Sequence, residues 1–363
     1  MLVASAASGC DGGETTTGAG GGGTGGGGGA PGCEVGSHDD GTGTCVATLG
    51  EFAATSPIAN ARDHHVTWAA KRPSGTYLYV AGGALDLMSA VYPIERSKIA
   101  EDGSLGAWET LDEEIAVMGP MVVATDDVVV IAGGMREGGT ANVSVSKIAD
   151  DGTLAFEDGP ELAKSRFHGA AVLVNGRVYA TGGLDGLGTS LDTIETATLD
   201  GTTLSTWSAE RVLPAPVSHH GLATDGHALV VTGGLKRVGN DFANDVFYDG
   251  IYRSEIAEDG SLGEWKQIGT TPFPIAVHAS FVHAGYLYLM HGLDNDTSQF
   301  RKSIERAPLA ADGTLGAWET LPVRLPITRG HCHQTPIVDG FIYSVAGTNT
   351  GGSQVDAFFA KFE

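Results

Sequence analysis

Asp102-Gly103-Ser104-Leu105-Gly106-Ala107-Trp108 is a phrase that recurs along this chain of 363 residues. Close copies stand at Asp259–Trp265 and Asp312–Trp318, and looser copies begin at Asp151 and Asp200. An apolar run that ends on a glycine precedes each copy and occurs once more near the C-terminus. The closing glycines are Gly83, Gly134, Gly183, Gly234, Gly292 and Gly347, with spacings of 51, 49, 51, 58 and 55 residues. A period near 50 indicates a repeat architecture.

The third repeat illustrates what one unit contains. An apolar run is followed by Asn175-Gly176, a two-residue hairpin turn in which both residues take positive φ. Arg177–Thr181 returns as a second strand and ends at Gly182-Gly183. A third, alternating segment leads to Asp200-Gly201, another tight turn, and a fourth strand follows. Four short antiparallel strands per unit predict the blade of a propeller, and no segment has a sustained helical period with caps.

The Gly-Gly strand ends and the recurrent tryptophans resemble those of kelch-repeat β-propellers over roughly Cys45–Glu363. The resemblance implies an all-β fold, a six-bladed kelch-type β-propeller with a tryptophan wedged between neighbouring blades. The last repeat has no fourth strand of its own, and Thr48–Phe52 matches the strand that starts at Leu105. We therefore expect Val46–Ala54 to complete blade six and close the ring, which removes an unpaired sheet edge.

The N-terminal residues divide the chain into three parts. Small residues that end at Cys10 look like the tail of a bacterial lipoprotein signal, so residues 1–9 are predicted to be a signal remnant and Cys10 a lipidation site. A chance match is the alternative. Residues 18–29 contain ten glycines, which makes 10–44 a disordered tether before the propeller of 45–363. The predicted location is the bacterial cell envelope, as an outer or inner membrane lipoprotein, or the extracellular space.

Charge and cysteine content restrict the partners and the compartment. The net charge is −23, from 44 acidic against 21 basic residues, which argues against nucleic acid and against an electrostatic hold on an anionic membrane. Membrane contact is expected only through the anchor. Cys33 and Cys45 can form a disulfide in an oxidising compartment, with Cys332 left over. Free thiols in a cytosolic chain are the alternative.

A set of Arg and His residues lies just before the predicted inner strands, where a propeller gathers them at one mouth of its central channel. The candidate ligand-binding residues are Arg62, His64, Arg166, His168, His219, His278, Arg329, His331 and His333. Convergent imidazoles bind metal ions. Repetition of one position along the chain favours instead histidines that brace neighbouring blades, so no metal and no cofactor are predicted. Strand alternation turns Cys332 away from His331 and His333, into the packed blade.

The predicted function is that of an exported, lipid-anchored monomer that binds a protein or carbohydrate ligand through the channel-mouth face. The irregular segment Leu235–Gly250 mixes charges and aromatic residues, as an interaction loop or a solvated loop would. Kelch propellers include sialic-acid mutarotases, copper oxidases, iron-dependent specifier proteins and many protein-binding modules. The alternative is therefore a carbohydrate-directed enzyme, mutarotase-like or a lyase, in which Arg62, Arg166 and Arg329 clamp a sugar carboxylate. No catalytic motif singles out an enzyme, and no acidic partner can be assigned.

Overall fold

The computed structural model of the protein describes residues 37–39, 45–86, 89–239 and 242–363. The predicted signal remnant and nearly all of the tether, with Cys10 and Cys33, lie outside the described residues. The described chain is all-β apart from one turn of 3-10 helix at Phe242–Asn244. Within these ranges, no helix has the length and apolar character needed to cross a membrane.

The described strands form six antiparallel sheets of four or five strands, which follow one another along the chain. From inner to outer strand, the first sheet contains Val66–Arg72, Gly75–Ala81, Pro93–Ile99 and Leu105–Glu114, and the second contains Met121–Ala124, Val128–Ala132, Val143–Ile148 and Leu154–Asp158. The third contains Ala170–Val174, Arg177–Thr181, Ile194–Asp200, Thr203–Leu204 and Ser208–Ala209, and the fourth contains Gly221–Thr224, Ala228–Thr232, Gly250–Glu255 and Lys266–Thr270. The fifth contains Ala279–His283, Tyr286–Met290, Ile304–Pro308 and Glu319–Thr320, and the sixth contains Ile337–Val338, Phe341–Val345, Ala357–Lys361 and Ala53–Thr55.

Additional short ladders of two or three strands accompany these sheets. They pair His38–Asp39 with Cys45–Val46, Ala84–Leu85 with Ser89–Ala90, Leu235–Lys236 with Val246–Phe247, Ile275–Ala276 with Leu293–Asp294 and the latter with Gln299–Phe300, and Thr348–Asn349 with Gly352–Ser353. Most of them lie between the second and third strands of a sheet, so they extend one side of the molecule.

The hairpin turns of each sheet have the local chemistry that the sequence predicts. Asn175 has φ 48° and Gly176 has φ 74°, as the two-residue turn requires. Asp151 accepts hydrogen bonds from the Thr153 amide (3.0 Å) and hydroxyl (2.6 Å), which fixes the turn between the third and fourth strands of the second sheet. We call the side that carries both kinds of hairpin turn the far side, and the opposite side the near side.

Neighbouring sheets are joined by tyrosines of the second strands. Tyr79 donates to the Gly152 carbonyl at 2.8 Å, and Tyr179 donates to the Gly260 carbonyl at 2.6 Å. The same bond joins the last sheet to the first one, because Tyr343 donates to the carbonyl of Gly103 at 2.8 Å. Apolar side chains of the sixth and first sheets also share one buried cluster. The first and last sheets are therefore neighbours in space.

The outer strand of the sixth sheet comes from the N-terminal part of the described chain. Ala53–Thr55 pairs with Ala357–Phe359, and Thr48 exchanges two backbone hydrogen bonds of 2.9 Å with Glu363. Phe52 is buried in a cluster that includes residues of the fifth and sixth sheets. The all-β fold of many small antiparallel sheets agrees with the sequence analysis and is consistent with a kelch-type propeller.

The recurrent tryptophans lie at the seams between sheets. Trp108, Trp207 and Trp318 donate from Nε1 to backbone carbonyls of the neighbouring sheet's outer segment at 2.8–2.9 Å. Their rings are half-buried, because they sit where the seam opens to solvent at the outer strands. They act as wedges, whereas Trp68 in the first inner strand is fully buried.

Candidate functional site

Six equivalent residues, one just before each inner strand, form a closed backbone ring at the near side. We call them the mouth ring; they are His64, Gly119, His168, His219, Val277 and His331. Each backbone amide donates to the carbonyl of the preceding member, and His64 donates to His331, so the six bonds of 2.7–3.1 Å close on themselves. All six residues have a left-handed φ between 51° and 62°.

The left-handed backbone of the mouth ring turns the side chains toward a common centre. Such a φ costs roughly 1–2 kcal/mol for a residue with a Cβ. Five of the six members are not glycine, and strain of this kind is kept only where the surroundings over-determine it. The closed hydrogen-bond ring supplies that constraint. Four members carry imidazoles. Gly119 leaves room for one of them, because a Cβ on Gly119 would lie 2.3 Å from His168 Nδ1.

The four imidazoles of the mouth ring, His64, His168, His219 and His331, contact each other, and we call them the histidine cluster. Ring centroids lie 4.4 Å apart for His64 and His168, 4.3 Å for His168 and His219, and 3.7 Å for His64 and His331. Across the cluster His64 and His219 lie 6.2 Å apart. One ligand nitrogen from each of His64, His168 and His219 lies within 4.8 Å of the other two.

Two members of the histidine cluster are oriented by hydrogen bonds from behind. His64 Nδ1 lies 2.5 Å from Asp63 Oδ1, and the other oxygen of that buried carboxylate accepts a hydrogen bond from Ser353. His219 Nδ1 lies 3.0 Å from Ser218 Oγ. The Ser218 hydroxyl also lies 3.3 Å from the Leu235 carbonyl. The Asp63 carboxylate places the proton of His64 on Nδ1, which leaves a lone pair on its Nε2.

The electrostatic environment keeps the histidine cluster neutral. Burial lowers the pKa of His64, His168, His219 and His331 well below 6.5, and the neighbouring imidazoles lower it further. The Nδ1 atoms of His168 and His331 have no hydrogen-bond partner among the described residues. At neutral pH the cluster therefore presents uncharged nitrogens, and two of them are unsatisfied.

His278 does not belong to this cluster, contrary to the sequence-based placement. Val277 occupies the mouth ring instead, and His278 points into the seam, where its Nε2 lies 2.8 Å from Thr232 Oγ1 of the preceding sheet. His220 makes the equivalent bond of 2.8 Å to Thr181. Both residues brace adjacent sheets, through a threonine hydroxyl. His220 and His278 each follow a mouth-ring residue by one position, so their side chains point into a seam between sheets and not toward the centre of the ring.

The three arginines proposed as ligand contacts are turned away from the mouth. Arg62 and Arg166 are fully buried, and each lies 2.5 Å from a buried glutamate of the third strand of its own sheet, Glu95 and Glu195. Arg329 is also fully buried and donates to Ser344 Oγ and to a backbone carbonyl. No guanidinium of these three is free to clamp a sugar carboxylate, because all are committed within the sheets.

The C-terminal pair of histidines flanks the opening of the cluster. His331 and His333 are partly exposed, and their ring centroids lie 6.3 Å apart. Cys332 points the opposite way and is buried, with its sulfur 3.3 Å from His291 Nε2. Burial raises the pKa of the Cys332 thiol to about 12, so it is a packing residue. Solvent therefore reaches the cluster from the side of His331 and His333.

Exposed apolar side chains gather on the same side of the molecule. The large hydrophobic residues that are exposed in the described chain are Leu85, Tyr92, Leu187, Val212, Val238, Phe242 and Val246. Every one lies in a near-side loop, either after the second strand of a sheet or between sheets. Four of them, Leu187, Val238, Phe242 and Val246, belong to adjoining loops, and we call these four the near-side apolar group.

The sequence reasoning missed Asp63, Glu95 and Glu195. The glutamates could have been found from spacing, because each follows its arginine by about thirty residues, as Glu195 follows Arg166. Glu95 also accepts hydrogen bonds from the amides of Ala59 (2.6 Å) and Asn60 (3.2 Å). Asp63 has no such local signal, since its role depends on contact with Ser353, far along the chain.

Residues 165–195 match the family model of the Kelch motif. The matched segment begins beside Arg166, crosses the first two strands of the third sheet and ends at Glu195, so it contains one buried arginine–glutamate pair. The match supports assignment to a kelch-repeat family, in keeping with the repeats seen in the sequence. No curated protein matches the chain.

Proposed function

We propose that this kelch-repeat protein is a six-bladed propeller, exported and anchored at a bacterial cell envelope, that binds a protein partner through its near side. The kelch motif suggests a protein-binding module. The finer assignment depends on one observation: the exposed large hydrophobic residues of the described chain all lie in near-side loops. Exposed apolar patches of soluble proteins commonly mark interaction sites.

Described residues of the near-side apolar group are held by contacts with their neighbours. Arg237 forms an ion pair with Asp245 and stacks over Phe242, with its guanidinium carbon 4.2 Å from the ring centroid. Gly239 and Arg237 donate backbone hydrogen bonds to Thr189 and Ser190 of the adjoining loop. A partner that contacts these residues would meet side chains that are already positioned, which reduces the entropy lost on binding.

A protein partner fits this surface better than a sugar. Burying each of these side chains is worth roughly 1.5–3 kcal/mol, and aromatic anchors such as Phe242 dominate protein interfaces. The carbohydrate-directed alternative needed free arginines at the mouth. Arg62, Arg166 and Arg329 are instead 0% exposed, so a sugar carboxylate would have to break the buried ion pairs of Arg62 and Arg166 or the hydrogen bonds of Arg329 to reach them.

Export and anchoring are the part of the proposal that concerns location. Cys45 is disulfide-bonded, with a partner outside the described residues, and stable disulfides form in oxidising compartments. Lipid on Cys10 would join the protein to the membrane through the glycine-rich segment. The test is detergent-phase partitioning of the full-length chain against a Cys10→Ser variant. Equal partitioning into the aqueous phase would refute the anchor.

The binding proposal is tested with two matched double variants. Leu187→Ser with Phe242→Ser removes two exposed apolar side chains of the near side. Glu101→Ser with Glu258→Ser changes two exposed residues of far-side turns and is the control. Immobilised wild type and far-side control should retain the same protein from an envelope extract, and the near-side variant should lose it by more than tenfold.

Three outcomes contradict the proposal. Retention of the partner by the near-side variant would move the interface elsewhere. A hydrogen-exchange footprint of the complex on the far-side turns would do the same. Self-association of the wild type that the near-side variant abolishes, measured by light scattering, would assign the surface to a second copy of this chain instead of a different protein.

A further inference from the structure

The histidine cluster does more than a brace requires. A brace needs one hydrogen bond per histidine, as His220 and His278 make. The imidazoles of His64, His168 and His219 instead turn toward each other on the axis of the mouth ring. We infer that these three residues form a site for one divalent transition-metal ion, Zn²⁺ or Cu²⁺, with His331 beside it.

The distances fit such an ion. Metal–nitrogen bonds of ~2.0–2.1 Å place the centroids of two ligating imidazoles about 4.5 Å apart at right angles and about 6.4 Å apart when opposite, as in the tetragonal sites of Cu²⁺, and about 5.2 Å apart in the tetrahedral sites of Zn²⁺. The adjacent pairs measure 4.4 and 4.3 Å, and the opposite pair, His64 and His219, measures 6.2 Å. The three ligand nitrogens lie within 4.8 Å of one another, and binding one ion would draw each pair to within about 4.1 Å, twice the metal–nitrogen bond length.

The groups behind the ligands have the arrangement that metal-binding histidines need. A ligating imidazole usually donates its other N–H to a carboxylate or another acceptor, which fixes the tautomer and raises ligand basicity. Asp63 does this for His64, and Ser353 holds the Asp63 carboxylate from the sixth sheet. The Ser218 hydroxyl lies 3.0 Å from His219 Nδ1 and holds that ring in position. His64 therefore presents an Nε2 lone pair, and both rings are oriented from behind.

The third ligand and its neighbour have unsatisfied nitrogens. His168 is only 6% exposed, and its Nδ1 has no partner among the described residues; His331 Nδ1 has none either. The bracing residues His220 and His278 also have an unpaired Nδ1, so the convergence of the rings, and not the unpaired nitrogens alone, distinguishes the cluster from a brace. A metal ion bound by the cluster would pair the nitrogens of His168 and His331.

The charges around the cluster allow a cation. Asp63 contributes a buried carboxylate directly behind His64. Arg237 is the nearby positive charge, and its pairing with Asp245 offsets it. Imidazole-only sites select Zn²⁺ or Cu²⁺ over Mg²⁺ or Ca²⁺, which prefer oxygen ligands. The partly exposed His331 and His333 mark the path of entry.

The test uses the full chain, stripped with a chelator and titrated separately with Zn²⁺ and with Cu²⁺ in chelator competition. Wild type should bind one ion per chain. His168→Ala should weaken binding by more than about tenfold, and Asp63→Asn by roughly 10- to 100-fold. His227→Ala removes an exposed imidazole of a far-side turn and should bind like wild type. Cu²⁺ electron paramagnetic resonance should show coupling to nitrogen, and comparison of the two affinities identifies the preferred ion.

A folding defect is separated from a ligand defect by thermal unfolding. The ion should raise the melting temperature of wild type and of His227→Ala, and should leave that of a folded His168→Ala variant unchanged. Absence of stoichiometric binding by wild type would overturn the inference. Equal binding by wild type and by both His168→Ala and His219→Ala would overturn it as well, because the ion would then lie elsewhere.

Discussion

The pairing of the N-terminal strand with the last sheet gives the sharpest test of the architecture. We compare two truncations, one that begins at Cys45 and one that begins at Ser56, with Cys45→Ser in the longer chain to avoid a free thiol. The shorter chain loses the Ala53–Thr55 ladder and the backbone bonds of Thr48 and Gly50 to the C-terminal strand. It also exposes the edge of Ala357–Lys361.

The magnitude can be worked out from Phe52. Its side chain is 9% exposed and packs in the cluster that contains Phe281, Tyr288 and Phe362. Removing such a ring costs about 3–5 kcal/mol, and residual exposure puts Phe52→Ala near 3 kcal/mol. For a domain of roughly 320 residues the unfolding entropy converts this into a fall of about 5 °C in melting temperature. Glu51→Ala, at the exposed neighbouring position, is the control.

The assay is thermal unfolding by circular dichroism, with light scattering to follow aggregation. Phe52→Ala should melt about 5 °C below Glu51→Ala, and the chain that begins at Ser56 should lose more and aggregate through its open edge. The chain that begins at Cys45 should melt close to wild type. Equal melting of the two truncations, or of Phe52→Ala and Glu51→Ala, would refute the pairing.

Three further predictions concern the seams and the buried pairs. Glu195→Gln should lower the free energy of unfolding by about 3–5 kcal/mol in urea titrations, because it leaves Arg166 buried and unpaired. Glu109→Gln, in a surface ion pair, should cost less than about 1 kcal/mol, and equal losses for the two variants would contradict a buried ion pair of Arg166 and Glu195. Trp207→Phe should lower the free energy of unfolding by about 0.5–1.5 kcal/mol, because it removes the hydrogen bond from Nε1. Trp265→Phe should cost less, since its buried Nε1 has no partner in the described chain, and a larger loss for Trp265→Phe than for Trp207→Phe would contradict the role of the tryptophan hydrogen bonds at the seams. Burial lowers the pKa of His278 to about 3, below the unfolded value of ~6.5, so the neutral imidazole stabilises the fold at pH 7 and this contribution is lost as the pH falls. The difference in unfolding free energy between wild type and His278→Asn should therefore shrink by about 2 kcal/mol between pH 7 and pH 5, and a constant difference would argue against the lowered pKa.

The fold was largely predictable because its rules are local. Tight turns such as Asn175-Gly176 and Asp151-Gly152 require particular residues at particular positions, and the period of the apolar strands repeats with them. Even the pairing of the N-terminal strand was accessible, because a missing fourth strand at one end of the chain matched a surplus strand at the other. Secondary structure and strand count therefore follow from the sequence without knowledge of any long-range contact.

The chemistry of the mouth depended on tertiary structure. Sequence spacing placed His278 among the channel residues, but the residue that takes the left-handed φ is Val277, and a shift of one position turns the imidazole into a seam. The contacts of His64 with His331 and of Asp63 with Ser353 join residues from opposite ends of the chain. Such contacts are decided by how the sheets pack against one another, because only that packing determines which side chains contact each other and which become partners of their own sheet.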